Sequence, residues 1–178
     1  SDFINKENLS RLCPAIQREL KEFKNRKERV EAEVITSRLW DIFNHSLNEI
    51  YVFSATTFKF IVLNQSALHN LQCNMDEMKE NHPWDITFQE TRELFIKRIE
   101  PLTNGKEKFL HFETQHVRKD GTTYPADVRL QLSTEKKEPI FFATVLDITE
   151  RKSAIEKIER IAKFPEENPE PVLRLNHL

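Results

Sequence analysis

The chain has 178 residues, with 27 Lys and Arg against 29 Asp and Glu, and only two Gly. That length suits one domain with appendages, or two small ones. Gly105 and Gly121 are too far apart for a dinucleotide fingerprint or a phosphate loop, and a net charge of −2 offers no basic field to nucleic acid or lipid.

The first third is helical. Leu9, Cys13, Ile16, Leu20, Phe23, Lys27, Val30 and Val34 alternate in steps of four and three, a heptad seam among charged residues. Pro14 suits a first turn, so the helix is expected to begin near 12–14. So narrow a stripe has little to bury alone. It either lies on its own domain or pairs with a second copy as a coiled coil, with Lys27 in the seam. A second helix over 37–47 carries Leu39, Trp40, Ile42, Phe43 and Leu47 on one face.

The period then changes to two. Ile50, Val52 and Ser54 alternate with Tyr51 and Phe53, and the apolar run 58–63 follows a short polar break, which predicts a hairpin. Asn64 stands as a helix N-cap before Ala67, Leu68 and Leu71. Residues 72–87 are broken, with one turn of helix over 75–79 and then His82-Pro83-Trp84. An amphipathic helix over 88–103 carries Phe88, Leu94, Phe95, Ile99 and Leu102, closed by Asn104-Gly105.

Three strands are expected next: 109–117, 124–133 and 139–148. Asp120-Gly121 joins the first two in a tight hairpin, because such turns demand positive φ. After Asp147-Ile148-Thr149 the helical period returns with Ile155, Ile158, Ile161 and Ala162, and Pro165, Pro169 and Pro171 are expected to end that helix. Residues 172–175 look like a further strand. The element order is that of an antiparallel α+β fold.

Chemistry is sparse in this pattern. Cys13 and Cys73 make neither a metal knuckle nor a disulfide framework and are expected to be ordinary thiols. The six His form no metal motif; His111 and His116, five apart on one strand, face opposite sides. No metal site is therefore expected. His45 lacks the surroundings of a phosphoacceptor, and Asp41 and Glu49 are taken as isolated, solvated acids. No apolar run is long enough to span a bilayer, so a cytoplasmic chain without membrane contact is expected.

Four segments in order resemble the PAS family. They are Thr57-Phe58-Lys59-Phe60-Ile61-Val62-Leu63-Asn64, Pro83-Trp84-Asp85-Ile86, Arg118-Lys119-Asp120-Gly121-Thr122-Thr123-Tyr124-Pro125 and Asp147-Ile148-Thr149-Glu150-Arg151-Lys152. The resemblance implies a five-stranded antiparallel sheet with short helices on one face, a long N-terminal helix and an exit helix. It divides the chain into a linker helix (1–35), a PAS domain (36–152), an exit helix (153–163) and the start of a second PAS segment (164–178). Residues 6–20 resemble the last helix of a receiver domain, and 162–174 the opening of another PAS domain. A multidomain two-component or phosphorelay protein is implied, its kinase or diguanylate cyclase output lying elsewhere.

The function implied is sensing and relay without catalysis. Asp147, Thr149, Glu150 and Arg151 would pass the signal, with Asp147 accepting hydrogen bonds that tie the sheet to the helix start and Thr149 as the N-cap of the exit helix. Homodimerisation through the N-terminal helix and the PAS surface is expected, with no nucleic acid partner. A pocket between sheet and helices is expected to be lined by Val52, Val62, Leu71, Trp84, Phe95, Val128, Leu130 and Phe142. It would be empty or hold a small organic ligand in preference to FAD or haem. FAD would need Trp84 or Trp40 for stacking, haem would need His69 as its ligand, and Cys73 lies outside the run that forms flavin photo-adducts.

Overall fold

The computed structural model describes residues 6–135 and 137–167, with side chains described from 17 to 161 apart from 136. The chain divides into two units at His45/Ser46.

The first unit is one helix, α1 (Lys6–Asn44). It begins earlier than expected and passes through position 14, where an interior proline forfeits one backbone hydrogen bond and crowds the carbonyl four residues back, a local cost within a 39-residue helix. It also absorbs the separate helix expected over 37–47. Nothing between Val34 and Ser37 breaks the period, and the Thr36 hydroxyl donates back to the Ala32 carbonyl at 2.8 Å. Pairs such as Arg18–Glu22 (2.8 Å) and Arg29–Glu33 (2.9 Å) line its surface and contribute a few tenths of a kcal/mol each. Leu20, Phe23, Val30 and Val34 of the heptad seam are exposed.

The second unit is built on an antiparallel sheet. Its strands are β1 (Glu49–Ser54), β2 (Phe60–Leu63), β3 (Phe109–Val117), β4 (Thr123–Ser133) and β5 (Ile140–Asp147), in the order β2-β1-β5-β4-β3. Between β2 and β3 come α2 (Gln65–Leu71), α3 (Met75–Met78), a 3₁₀ turn (Pro83–Asp85) and α4 (Arg92–Thr103). The helix α5 (Thr149–Glu167) leaves directly from β5. It outlasts its expected end at 163, and the strand expected at 172–175 lies outside the described residues.

Local chemistry explains these joints. Asn64, fully buried, accepts from the Ala67 N–H (3.1 Å) and the Ile50 N–H (2.9 Å) through Oδ1, so one side chain caps α2 and latches it to β1. Gly121 adopts φ 84° in the β3–β4 hairpin, where a side chain would be strained, and Asp120 Oδ1 accepts from the Thr122 N–H at 2.9 Å.

The core lies between the inner sheet face and α2–α4. Tyr51, Phe53, Phe60, Tyr124, Val128, Leu130, Phe141 and Ala143 supply the sheet side; Leu71, Met78, Phe95 and Ile99 supply the helices. The expectation that Val52, Val62 and Phe142 face inward is corrected. Val52 pairs with Val62 on one side and Phe142 on the other, so the three form a row on the outer face. β1 is apolar on both faces, and its aromatic parity, Tyr51 and Phe53, takes the inside.

Candidate functional site

A cavity of about 40 Å³ lies between the sheet and α4. Phe53, Phe60, Phe95, Val128, Leu130 and Val145 form its apolar walls, and Tyr51, Thr87, Arg98, Thr114 and His116 its polar ones. Backbone pairing sets the wall before α4: the Phe88 N–H donates to Gln115 (2.8 Å) and the Val117 N–H to Ile86 (2.9 Å). Arg98 lies 4.6 Å from the Phe112 ring centre and pairs with Glu90 at 2.9 Å.

Of the residues expected to line the pocket, Phe95, Val128 and Leu130 do so. Leu71 lies in the core and borders a separate groove beside Cys73. Trp84 packs on His82 (4.6 Å between ring centres), Phe58 and Phe95. The space suits a few waters, where drug-sized ligands need ~300–1,000 Å³. Neither an isoalloxazine nor a porphyrin fits beside the packed Phe53, Phe58 and Phe95 rings. His69 borders a different groove, with Glu49, Ser66 and Asn70, so it is not placed to hold a haem in this cavity. Burial raises the Cys73 thiol pKa, reducing its thiolate character.

Beside the cavity sits a polar corner. Glu49, expected to be solvated, is only 4% exposed. Its inward parity with Tyr51 and Phe53 places it under α2, where Asn70 of that helix donates to Oε1 at 2.6 Å. Its Oε2 accepts from the Tyr51 hydroxyl and from the Tyr124 hydroxyl at 2.9 Å. The His116 Nδ1 lies 3.3 Å from the Tyr124 oxygen. Asn70 Oδ1 accepts from Arg118 Nε (3.1 Å) and Nη2 (3.0 Å). Arg118 covers the Tyr124 ring at 4.3 Å and donates to Asp147 Oδ2 at 3.3 Å. Asp147 Oδ1 accepts from the Thr149 backbone N–H at 2.9 Å and from its hydroxyl.

Burial dominates the electrostatics. It raises the Glu49 pKa against the opposing hydrogen bonds from Tyr51, Asn70 and Tyr124, with Asp147 adding a smaller upward push. It lowers His116 to about 4, so the ring is neutral at pH 7. Burial, then the Glu49 charge, raises both Tyr51 and Tyr124.

Of the expected relay residues, Asp147 and Thr149 meet at this corner. Thr149 opens α5 itself, so the capping oxygen comes from Asp147 instead. Glu150 and Arg151 are exposed on the first turn. Lys152 adds a second tie to the sheet through Glu113 at 2.8 Å. Sequence reasoning missed Glu49, Asn70 and Arg118. Glu49 left a signal as an acid in phase with the aromatic face of its strand, and Arg118 as the first residue of a family-like segment; Asn70 left none.

A PAS domain model matches residues 48–150. No curated protein matches the sequence. Among solved structures, the chain is similar to the PAS domain of an HTR-like protein from Haloarcula marismortui, at 25% identity and TM-score 0.60, covering 70% of this chain and 99% of that one. It is similar in fold to a PAS domain from a two-component sensor histidine kinase, at 10% identity and TM-score 0.55, covering 65% and 98%. The same holds for the PAS domain of a Desulfitobacterium hafniense protein, at 21% identity and TM-score 0.52, covering 60% and 98%. With more than half of its length matched by the family model, its five-stranded sheet and the helices packed on one face, the chain belongs to the PAS domain family of sensory signalling modules.

Proposed function

We propose that the chain is a non-catalytic sensory and relay module of a cytoplasmic two-component-type protein, passing an input from the cavity through the sheet to α5. One observation carries this reading: a hydrogen-bonded path joins cavity-lining Tyr51 and His116, through Tyr124, Glu49, Asn70 and Arg118, to Asp147 and the first turn of α5. A change of cavity contents that favours one arrangement of these groups would favour one setting of α5. A cavity of this size holds waters as it stands, so a small organic ligand would enter only on its opening; FAD and haem do not suit it.

Asp147→Ala removes the junction of that path. The output of the protein should then lose its response to input, a coupling loss of roughly 1–2 kcal/mol. Wild-type output in both input states would contradict the reading.

Homodimerisation through α1 belongs to the same proposal, supported by the exposed stripe of Leu20, Phe23, Val30 and Val34 at heptad spacing. In sedimentation the full chain should behave as a dimer, and Phe23→Glu with Val30→Glu as a monomer; equal monomers would remove this part. Neighbouring receiver and PAS segments in a longer protein rest on the resemblance of the flanks alone.

A further inference from the structure

β1 opens with a carboxylate on a face that is otherwise aromatic, and its hydrogen-bond partners are two phenols and one amide. The cation at this corner, Arg118, meets Asn70 and Asp147 directly. Two carboxylates therefore share one bridging amide, and of the two only Asp147 meets the guanidinium directly. Asn70 Nδ2 lies 2.6 Å from Glu49 Oε1 and 3.4 Å from Asp147 Oδ2, so the amide is held mainly by Glu49. Turning the amide over would set its oxygen against both carboxylates and its NH₂ against Arg118, so its orientation is fixed by their charges.

The groups around Glu49 come from every neighbouring element. Tyr51 lies on β1, Tyr124 on β4, His116 on β3, Arg118 just after β3 and Asp147 at the end of β5. His69 of α2 borders the same groove, exposed. Of these, the Asp147 charge opposes ionisation of Glu49, in the same direction as its burial. With both acids ionised and Arg118 positive, this corner carries one excess negative charge; one proton removes it.

We propose that Glu49 is a proton-binding site whose occupancy sets how firmly Asp147 holds α5. This rests on the relay reading above. The proton enters Oε2 and is donated to the Tyr124 oxygen, whose own hydrogen turns to His116 Nδ1, while the Tyr51 hydroxyl keeps donating to Glu49. Oε1 becomes a weaker acceptor, and the Asn70 amide moves toward Asp147, which Arg118 already meets. The cap on the Thr149 N–H tightens. No bond other than the O–H forms, and the proton comes from solvent.

Amide-exchange protection in the first turn of α5, corrected for intrinsic rates, tests this on the full chain between pH 8 and pH 5. Wild type should gain protection by about tenfold as the pH falls, the change expected when one like charge beside a hydrogen-bonded carboxylate is neutralised. Glu49→Gln should show the high level throughout, and His69→Gln should keep the step. The ¹³C carboxyl signal of Glu49 in wild type should titrate above the ordinary glutamate range. A step that survives in Glu49→Gln, one that vanishes in His69→Gln, or a Glu49 signal titrating in the ordinary range would overturn the proposal. Asp147→Ala separates the two readings: unchanged α5 protection in that variant sinks the relay. Lowered protection there, with no pH step in wild type, sinks the proton site alone.

Discussion

Phe141→Ala is expected to lower the free energy of unfolding by about 3–5 kcal/mol. Phe141 is 0% exposed on β5, the central strand of the sheet, and it stands opposite Phe53 on one side and Leu132 on the other. Its ring stacks on Phe53 at 5.1 Å between centres, with Phe58 at 6.3 Å. Hydrogen-bonded neighbours on both edges hold β5 in place, so the sheet cannot close over the void and the lost contacts are not recovered. Urea unfolding checks this: the midpoint should fall while the m-value stays constant. A loss below about 1 kcal/mol would mean that the aromatic layer repacks freely.

The second large effect is a loss of stability on acidification, centred on His116. The folded pKa lies at about 4 against an ordinary 6.5, so the unfolded chain binds the proton first. The stability contributed by neutral His116 is whole above pH 6.5 and is lost as the pH falls through the window down to about 4. The shift corresponds to about 3 kcal/mol. Tyr51 on β1 and Tyr124 on β4 meet the ring edge-on, and the Asp147 charge acts weakly against the depression. Glu49 works in the opposite sense. Its raised pKa means that its own contribution grows as the pH falls, so the wild-type curve shows the difference of the two. His116→Phe keeps the aromatic packing and removes the titration; the lost contact to the Tyr124 hydroxyl adds an offset that does not change with pH. The stability of wild type minus that of the variant should therefore fall by about 3 kcal/mol between pH 7 and pH 4. A difference constant with pH would show that His116 does not enter the balance.

The sequence makes the architecture legible where a strand has one apolar face. β4 alternates Val128 and Leu130 with Arg129 and Gln131, so its inward residues could be named, and both line the cavity. β1 carries Ile50 and Val52 on one face and Tyr51 and Phe53 on the other, so hydrophobicity alone leaves its facing undecided. The aliphatic parity of β1 is the outer one, and Val62 and Phe142, the cross-strand partners of Val52, lie on that face with it. The Asp120-Gly121 turn was legible because its backbone requirement is local. The polar corner was not. Arg118 and Asn70 are 48 positions apart and Tyr124 and Glu49 are 75 apart, and only the folded sheet brings them together. Asp147 was legible as an acceptor tying the sheet to the start of α5; that Thr149 lies inside the helix, with its own N–H held by Asp147, needed the helix start to be seen.

The central claim is that α5 is held by the sheet through Asp147. Amide exchange in Asp147→Ala tests it most directly, with interior amides of β4 and β5 as the reference. The account predicts first-turn amides of α5 exchanging roughly 3- to 30-fold faster than in wild type, as for a lost helix cap, while the sheet amides keep their protection. First-turn protection equal to wild type would contradict it.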